Sequence, residues 1–294
     1  MSAHIKVLGI YREERCSNRA IDADKAILDE VLNTFAFSLG QAVIVTRIRP
    51  EDIAHTVLDF SYNLVFSMAQ EENILAYLDL LESRGSVVVN SSKAIRNCYR
   101  GRLSEKLSAS KFSYPRYIPL KVEQVLFEIF DSCDGYWIKR GDFHSVTDDD
   151  VVHIKTIDEL TEALDNFKNR GVGDVILQES IQGELFKFYG VRDIFFNLRY
   201  IGKTGHHRFT TLPGNADIKF DDNQLEKLVH SAANTLDLDF FGGDCIITEE
   251  GRIYLIDFND WPSFRTCRKM AAEKMASYAH DKLKDGIKNA NVLL

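Results

Sequence analysis

Late in the chain runs the segment FFGGDCIITEEGRIYLIDFNDWPSF, residues 240–264. Two apolar halves separated by EEG read as a β-hairpin. Both halves carry acids where a half-buried strand would continue in Val or Ile, and carboxylates seldom enter a core without partners. That restricts how the strands can pair. With a tight turn at Glu250-Gly251, Asp244 lies directly opposite Asp257, with Cβ atoms about 5 Å apart on one face. Asn259, two residues further on, shares that face. A three-residue loop ending at Gly251 turns Asp244 to the other face, and a four-residue loop turns it back. In the clustered register, two acids and an amide converge. Without a cation the acids repel; with Mg²⁺ or Mn²⁺ they form a hard-oxygen site. The plainer alternative is a solvated strand end, but Phe258 and Trp261 flank the acids and favour the metal.

The rest of the chain divides by pattern. In the first 90 residues, strands such as HIKVLGIY, AVIVTRI, YNLVFSMA and SVVVNS alternate with helical stretches at 21–40 and 73–85. This β-α-β order predicts a small parallel α/β unit. Residues 91–182 read as α+β: a helix over 93–110, a helix near 123–132, the strands GYWIKR, VVHIK and VILQESI, and a helix from Ile157. Residues 183–294 carry long strands, LFKFYGV, IFFNLRYI and the hairpin, with helices at 222–236 and 268–283. They predict an antiparallel sheet with helices on one side. The last helix is expected to pack on the core and not to form an interface.

Charge narrows the function. The chain has 36 Lys and Arg against 44 Asp and Glu, a net charge of −8. That argues against general nucleic-acid binding, which needs a basic field. Cys16, Cys98, Cys133, Cys245 and Cys267 are widely spaced with no C-x-x-C, so reduced thiols are expected. No leader pattern and no apolar run of the ~20 residues a membrane helix needs is visible. A cytoplasmic protein without membrane partners is the expectation. There is no G-x-x-x-x-G-K-[ST], too few glycines in VLGIYREERCS for a dinucleotide loop, and no serine-hydrolase elbow. Side chains and metal would therefore hold any triphosphate.

The hairpin is similar to the metal-binding end of the ATP-grasp superfamily. There an Asp, an acidic residue and the Asn of an acid-x-N-x-x-P run hold the magnesium ions of ATP. The matching residues are Asp244, Asp257 and Asn259, with Pro262 completing the run. The family more often has Glu at the position of Asp257, and the shorter Asp is less suited to bridging two metals. VILQESIQGE resembles the family's hinge, where backbone around Ser180 and Ile181 meets adenine and Glu179 or Glu184 meets the ribose. Lys139, in GYWIKRGDF, matches the lysine at the α-phosphate and base. A second family lysine is replaced, with Arg102 at the closest position and Arg100 as the alternative. Lys187 and Arg199 would point from the large lobe at the γ-phosphate and the transferred group. Without the resemblance, QES is a surface turn and the lone cations are strand-edge charges. One departure stands out. The family usually carries a glycine-rich flap after the lysine strand, whereas RGDFHSVTDDDVV has one glycine and three consecutive acids. His144 and Ser145 could substitute there, although His144 reads first as an exposed loop histidine.

The resemblance implies an α/β and α+β fold of three lobes, 1–90, 91–182 (a nucleotide lid) and 183–294 (the metal lobe). It implies ATP and Mg²⁺ (or Mn²⁺) as cofactors. It also implies a ligase joining a small-molecule carboxylate to an amine through an acyl phosphate. A small-molecule kinase on the same scaffold, or a nucleotide-binding protein without turnover, are the alternatives. Substrate would enter beside REERCSN (Arg12 to Asn18), at the carboxyl end of the first strand, which otherwise reads as a charged surface loop. Oligomeric state is open, with a homodimer among the options.

Overall fold

A computed structural model describes residues 4–17, 20–53, 55, 60–110, 112–124, 132, 134–204 and 218–292. Asn18, Cys133 and most of the helix expected near 123–132 lie outside the described residues.

The first lobe runs β1 (Ile5–Ile10), α1 (Ile21–Leu39), β2 (Val43–Ile48), the short α2 (Pro50–Ile53), β3 (Leu64–Ser67), α3 (Glu72–Ser83) and β4 (Val87–Val89). Its strands are parallel in the order β2-β1-β3-β4. Successive residues serve opposite faces. Val7, Leu64, Phe66 and Val89 pack with Ile27, Leu28, Val31, Leu32 and Phe35 of α1. Leu8, Ile10, Val65 and Val88 pack with Ile74, Leu75, Leu78 and Leu81 of α3. Covering both faces explains why the central strands β1 and β3 are mostly apolar and do not alternate.

Two helices lead out of this lobe, α4 (Ser92–Asn97) and α5 (Arg100–Ser108). The sequence predicts one helix here. The break comes at Tyr99, which is extended (φ −62°, ψ 128°), and its hydroxyl donates to the Gln70 carbonyl at 2.6 Å. The lid follows: β5 (Tyr117–Lys121), β6 (Tyr136–Arg140), β7 (Val151–Ile154), α6 (Ile157–Asn169) and β8 (Asp174–Glu179). Its antiparallel order is β5-β8-β6-β7. Leu160, Leu164 and Phe167 of α6 bury one face of this sheet against Tyr136, Ile138, Val175 and Leu177.

The large lobe is built from β9 (Glu184–Val191), β10 (Phe195–Lys203), α7 (Asp222–Thr235), β11 (Phe240–Ile247), β12 (Ile253–Asn259) and α8 (Arg268–Val292). Its sheet is antiparallel, in the order β10-β9-β11-β12. One face carries Phe186, Phe188, Phe241, Cys245, Leu255 and Phe258 against Leu225 and Val229 of α7 and Leu103 and Leu107 of α5. Helix α5 therefore shares its core with this sheet, although the sequence pattern groups it with the lid. Helix α8 packs back on α1 through Ala272, Met275, Ala276, Ala279 and Leu283, as core packing requires. Cys16, Cys98, Cys245 and Cys267 are free and buried. Among the described residues no helix is long and apolar enough to cross a membrane.

Candidate active site

The hairpin reaches the clustered register by a route the sequence alternatives did not contain. The loop has three residues, Glu249, Glu250 and Gly251. Thr248 N donates to Arg252 O at 3.0 Å and Gly251 N donates to Thr248 O at 2.8 Å. Gly251 sits at φ +76°, where a side chain would be strained. Near the loop, Ile247 pairs with Ile253 and Cys245 with Leu255. Left alone, that register would turn Asp244 away from Asp257. The register then shifts, leaving Ile256 unmatched, and Asp244 falls opposite Asp257. This β-bulge adds back the residue that the loop subtracts. It also keeps Leu255 and Phe258 in the core while Asp257 and Asn259 face away from it. The strands approach closely here: a Cβ on Gly243 would meet the Asp257 carbonyl oxygen at 2.2 Å.

On the face opposite α7, four charged residues stand in one row across the sheet. Arg199 pairs with Lys187, Lys187 with Asp244, and Asp244 with Asp257. Lys187 Nζ lies 3.2 Å from Asp244 Oδ1. Asp244 holds the Lys187 ammonium above its usual range. Burial pushes the Asp244 carboxyl up against the opposing pull of Lys187, and Asp257 pushes it further. Asn259 lies one pleat along from Asp257, opposite Gly242.

The lid closes over this row. Lys139 is buried and its Nζ donates to Gln178 Oε1 at 2.5 Å. Burial lowers it to about 8, with Arg100 adding to the effect and Asp257 and Asp244 opposing it. Arg100, at the start of α5, is also buried, with Nη2 3.8 Å from Asp257 Oδ2. Its Nε and Nη1 have no hydrogen-bond partner among the described residues. Arg102, the closest sequence match, is exposed and lines a different cleft, between α5 and the β5–β8 edge. Of the two arginines, it is Arg100 that the fold brings to the acids.

The hinge residues line a cleft of about 990 Å³ between lid and large lobe. Glu179, Ser180, Ile181 and the buried Glu184 share it with Lys203 and Tyr254. Glu179 is already held by Arg116, with Nη2 to Oε1 at 2.8 Å and Nε to Oε2 at 3.0 Å. The N–H groups of Glu179 and Ser180 are taken by the carbonyls of Arg116 and Gly135.

Two expectations of exposure fail. His144 is buried, with Nε2 3.3 Å from Asp260 Oδ1, because the loop that carries it docks on the large lobe. The REERCS segment is only partly a surface loop: Glu14 and Arg15 are exposed, but Arg12, Glu13, Cys16 and Ser17 are buried. Arg12 pairs with Asp24 at 3.0 Å and its Nη2 donates to the Trp261 carbonyl at 2.5 Å. Glu13 accepts from the N–H groups of Gln70 and Glu71. The acids of the flap do not face the cleft. Asp150 is buried, accepts from Val146 N and Thr147 N, and pairs with Arg170 at 2.7 Å. Burial raises its carboxyl, but those bonds outweigh burial and hold it below the usual range. The sequence marks Asp260, beside Asn259, as an acid in need of a partner but gives it no role, and it offers no signal for Gln70 or Arg116.

Among the described residues no cluster of three or more His, Cys, Asp or Glu is placed to hold a metal. Asp244, Asp257 and Asn259 are two acids and an amide. No protein-family model matches the chain, and no curated protein matches it in sequence. Solved structures do match in fold. The chain is similar to the D-alanine–D-alanine ligase of Bacillus anthracis complexed with ATP, at 14% identity and TM-score 0.69, covering 97% of this chain and 99% of that one. The D-alanine–D-alanine ligase of Coxiella burnetii matches at 13% identity and TM-score 0.69, over 99% and 98%. The VanG D-Ala:D-Ser ligase of Enterococcus faecalis matches at 16% and 0.62, over 95% and 99%. The fold is thus that of these ligases.

Proposed function

We propose that the chain is an ATP-dependent ligase that joins a carboxylate to an amine through an acyl phosphate. The observation that carries this reading is the convergence of Asp244, Asp257 and Asn259 beneath the buried cations Lys139 and Arg100. A buried guanidinium with two unsatisfied nitrogens is costly unless an anion completes it. Ligases of the same fold, one of them complexed with ATP, support the assignment of that anion as a nucleotide phosphate.

The donor set fits a divalent cation. Two opposed carboxylates and an amide are hard oxygen ligands, and the buried Asp244 Oδ1 has Lys187 Nζ beside it at 3.2 Å without hydrogen-bond geometry. Asp244, Asp257 and Asn259 would hold Mg²⁺ or Mn²⁺, which when bound neutralises phosphate charge. The chain's own cations do the rest. Lys139 holds phosphate from the lid and Arg100 from the start of α5, while Lys187 and Arg199 face the transferred group from the sheet. The base and ribose lie in the hinge cleft, which Glu179 and Glu184 both line and where either meets the ribose. The substrate carboxylate attacks the γ-phosphorus and ADP leaves. The amine then attacks the acyl carbon and phosphate leaves. No protein nucleophile is needed, since positioning and charge stabilisation supply the rate.

The test is ADP release from Mg·ATP across a panel of paired acids and amines, amino acids included, with product identification. Amide, ADP and free phosphate in equal amounts are expected. A stable phosphoester would make the protein a kinase. Nucleotide binding without any ADP would reduce it to a binding protein.

A further inference from the structure

The loop between β6 and β7 is short of glycine, so it cannot wrap a phosphate in backbone N–H groups. It is built as a hook held at both ends by side chains. At its base, Asp150 collects the N–H groups of Val146 and Thr147 and is pinned by Arg170. At its tip, His144 enters the junction of all three lobes. Its ring stands edge-on to Tyr99 and Phe143, with centroids at 5.9 and 5.7 Å. Its Nε2 reaches Asp260 Oδ1 of the large lobe at 3.3 Å. The same oxygen accepts from Gln70 Nε2 of the first lobe at 2.5 Å. The Asp260 backbone carbonyl accepts from Asn90 Nδ2, also of the first lobe. Asp260 has no exposed surface and directly follows Asn259 of the metal cup.

We propose that His144 is a positioning residue: through Asp260 it seats the lid loop on the strand end that carries Asn259, and so ties closure of the lid to the geometry of the metal cup. This rests on reading the cleft as a nucleotide site, but the seating itself does not. The ring nitrogen meets the buried carboxylate at 3.3 Å without hydrogen-bond geometry, so the contact is a polar one between lobes. Its loss leaves Gln70 as the donor to the Asp260 side chain, with Arg12 nearby, and frees the loop tip, because Tyr99 and Phe143 supply only ring packing. The glycine-poor sequence then makes sense. A stiff hook with one polar anchor replaces a pliant loop that closes on its ligand.

Hydrogen exchange of the full-length chain tests this. His144→Phe keeps the ring packing and removes the ring nitrogen that meets Asp260. Amides of residues 141–147 should exchange about tenfold faster in this variant, with those of β11 unchanged. His144→Gln, which restores an N–H at similar reach, should recover most of the protection. Mg·ATP should bind about tenfold more weakly to His144→Phe, by titration calorimetry, and near normally to His144→Gln. Unchanged exchange at 141–147 in His144→Phe overturns the proposal. So does a general rise that includes β11, since His144 would then belong to the fold at large and not to a separable anchor. If the wild-type chain binds no nucleotide, the reading of the cleft fails, and the exchange result still decides whether His144 holds the loop.

Discussion

Asp257 and Asp260 are three residues apart at the end of β12, yet they do opposite jobs. Asp260 is wholly buried, and His144, Arg12 and Gln70 outweigh its burial and hold its carboxyl below the usual range. Asp257 keeps 21% of its side chain exposed, and its nearest cation, Arg100, stands off at 3.8 Å. One acid joins lobes through Oδ1, while its Oδ2 is buried without a hydrogen bond. The other accepts from Phe258 N at 3.0 Å and stays part-exposed beside Arg100, two of whose nitrogens lack partners. Position separates the two charges: one is enclosed between lobes, the other stands in a row of charges that solvent reaches.

The contrast can be broken at either acid. Asp260→Ala should cost most, about 3–5 kcal/mol of stability, because it strands buried polar groups from two other lobes; denaturant unfolding measures it. Asp257→Ala should leave the melting temperature within a few degrees of wild type and cut metal-dependent turnover at least about 100-fold. Reversal of these two patterns would undo the distinction. Gly243→Ala sharpens it. The added methyl would drive the Asp257 carbonyl away and cost about 1–3 kcal/mol, with turnover falling as the cup opens.

A smaller effect comes from pH. Burial holds Lys139 down to about 8, so its charge is present below that pH and lost above it. Affinity for a triphosphate, by calorimetry, should fall as pH rises through 8, and Lys139→Met should flatten the profile. Fold stability should move the other way. Between pH 8 and 10.5 the unfolded lysine holds a proton that the buried one has released, so that contribution rises with pH. Smallest of all, Arg102→Ala should change nucleotide affinity less than twofold, since Arg102 lies in another cleft.

Much of the architecture is legible in sequence, because apolar spacing marks core-facing elements directly. The strands of the first and large lobes and helices α1, α6 and α7 follow from it. β5 does not. YIPLK carries Pro119 and mostly part-exposed residues, and it is tolerated as a strand because it is an edge. The break at Tyr99 was equally hidden, since it depends on a hydroxyl reaching Gln70 in another lobe. The row Arg199–Lys187–Asp244–Asp257 could be guessed residue by residue, but its alignment needs the register of three strand pairs. Arg100 could not be preferred to Arg102 without knowing where a helix begins. His144 was misjudged because burial of a loop side chain is decided by what docks on it.

The bulge at Ile256 has a consequence for how such a site can change. An odd loop and one unmatched residue cancel. Removing Ile256 would set Asp257 directly after Leu255 and still opposite Asp244, so the acids would keep their face. An extra residue in either strand between the turn and the acids would instead turn one of them toward the apolar layer. The site can therefore lose its irregularity, but it cannot gain a second one.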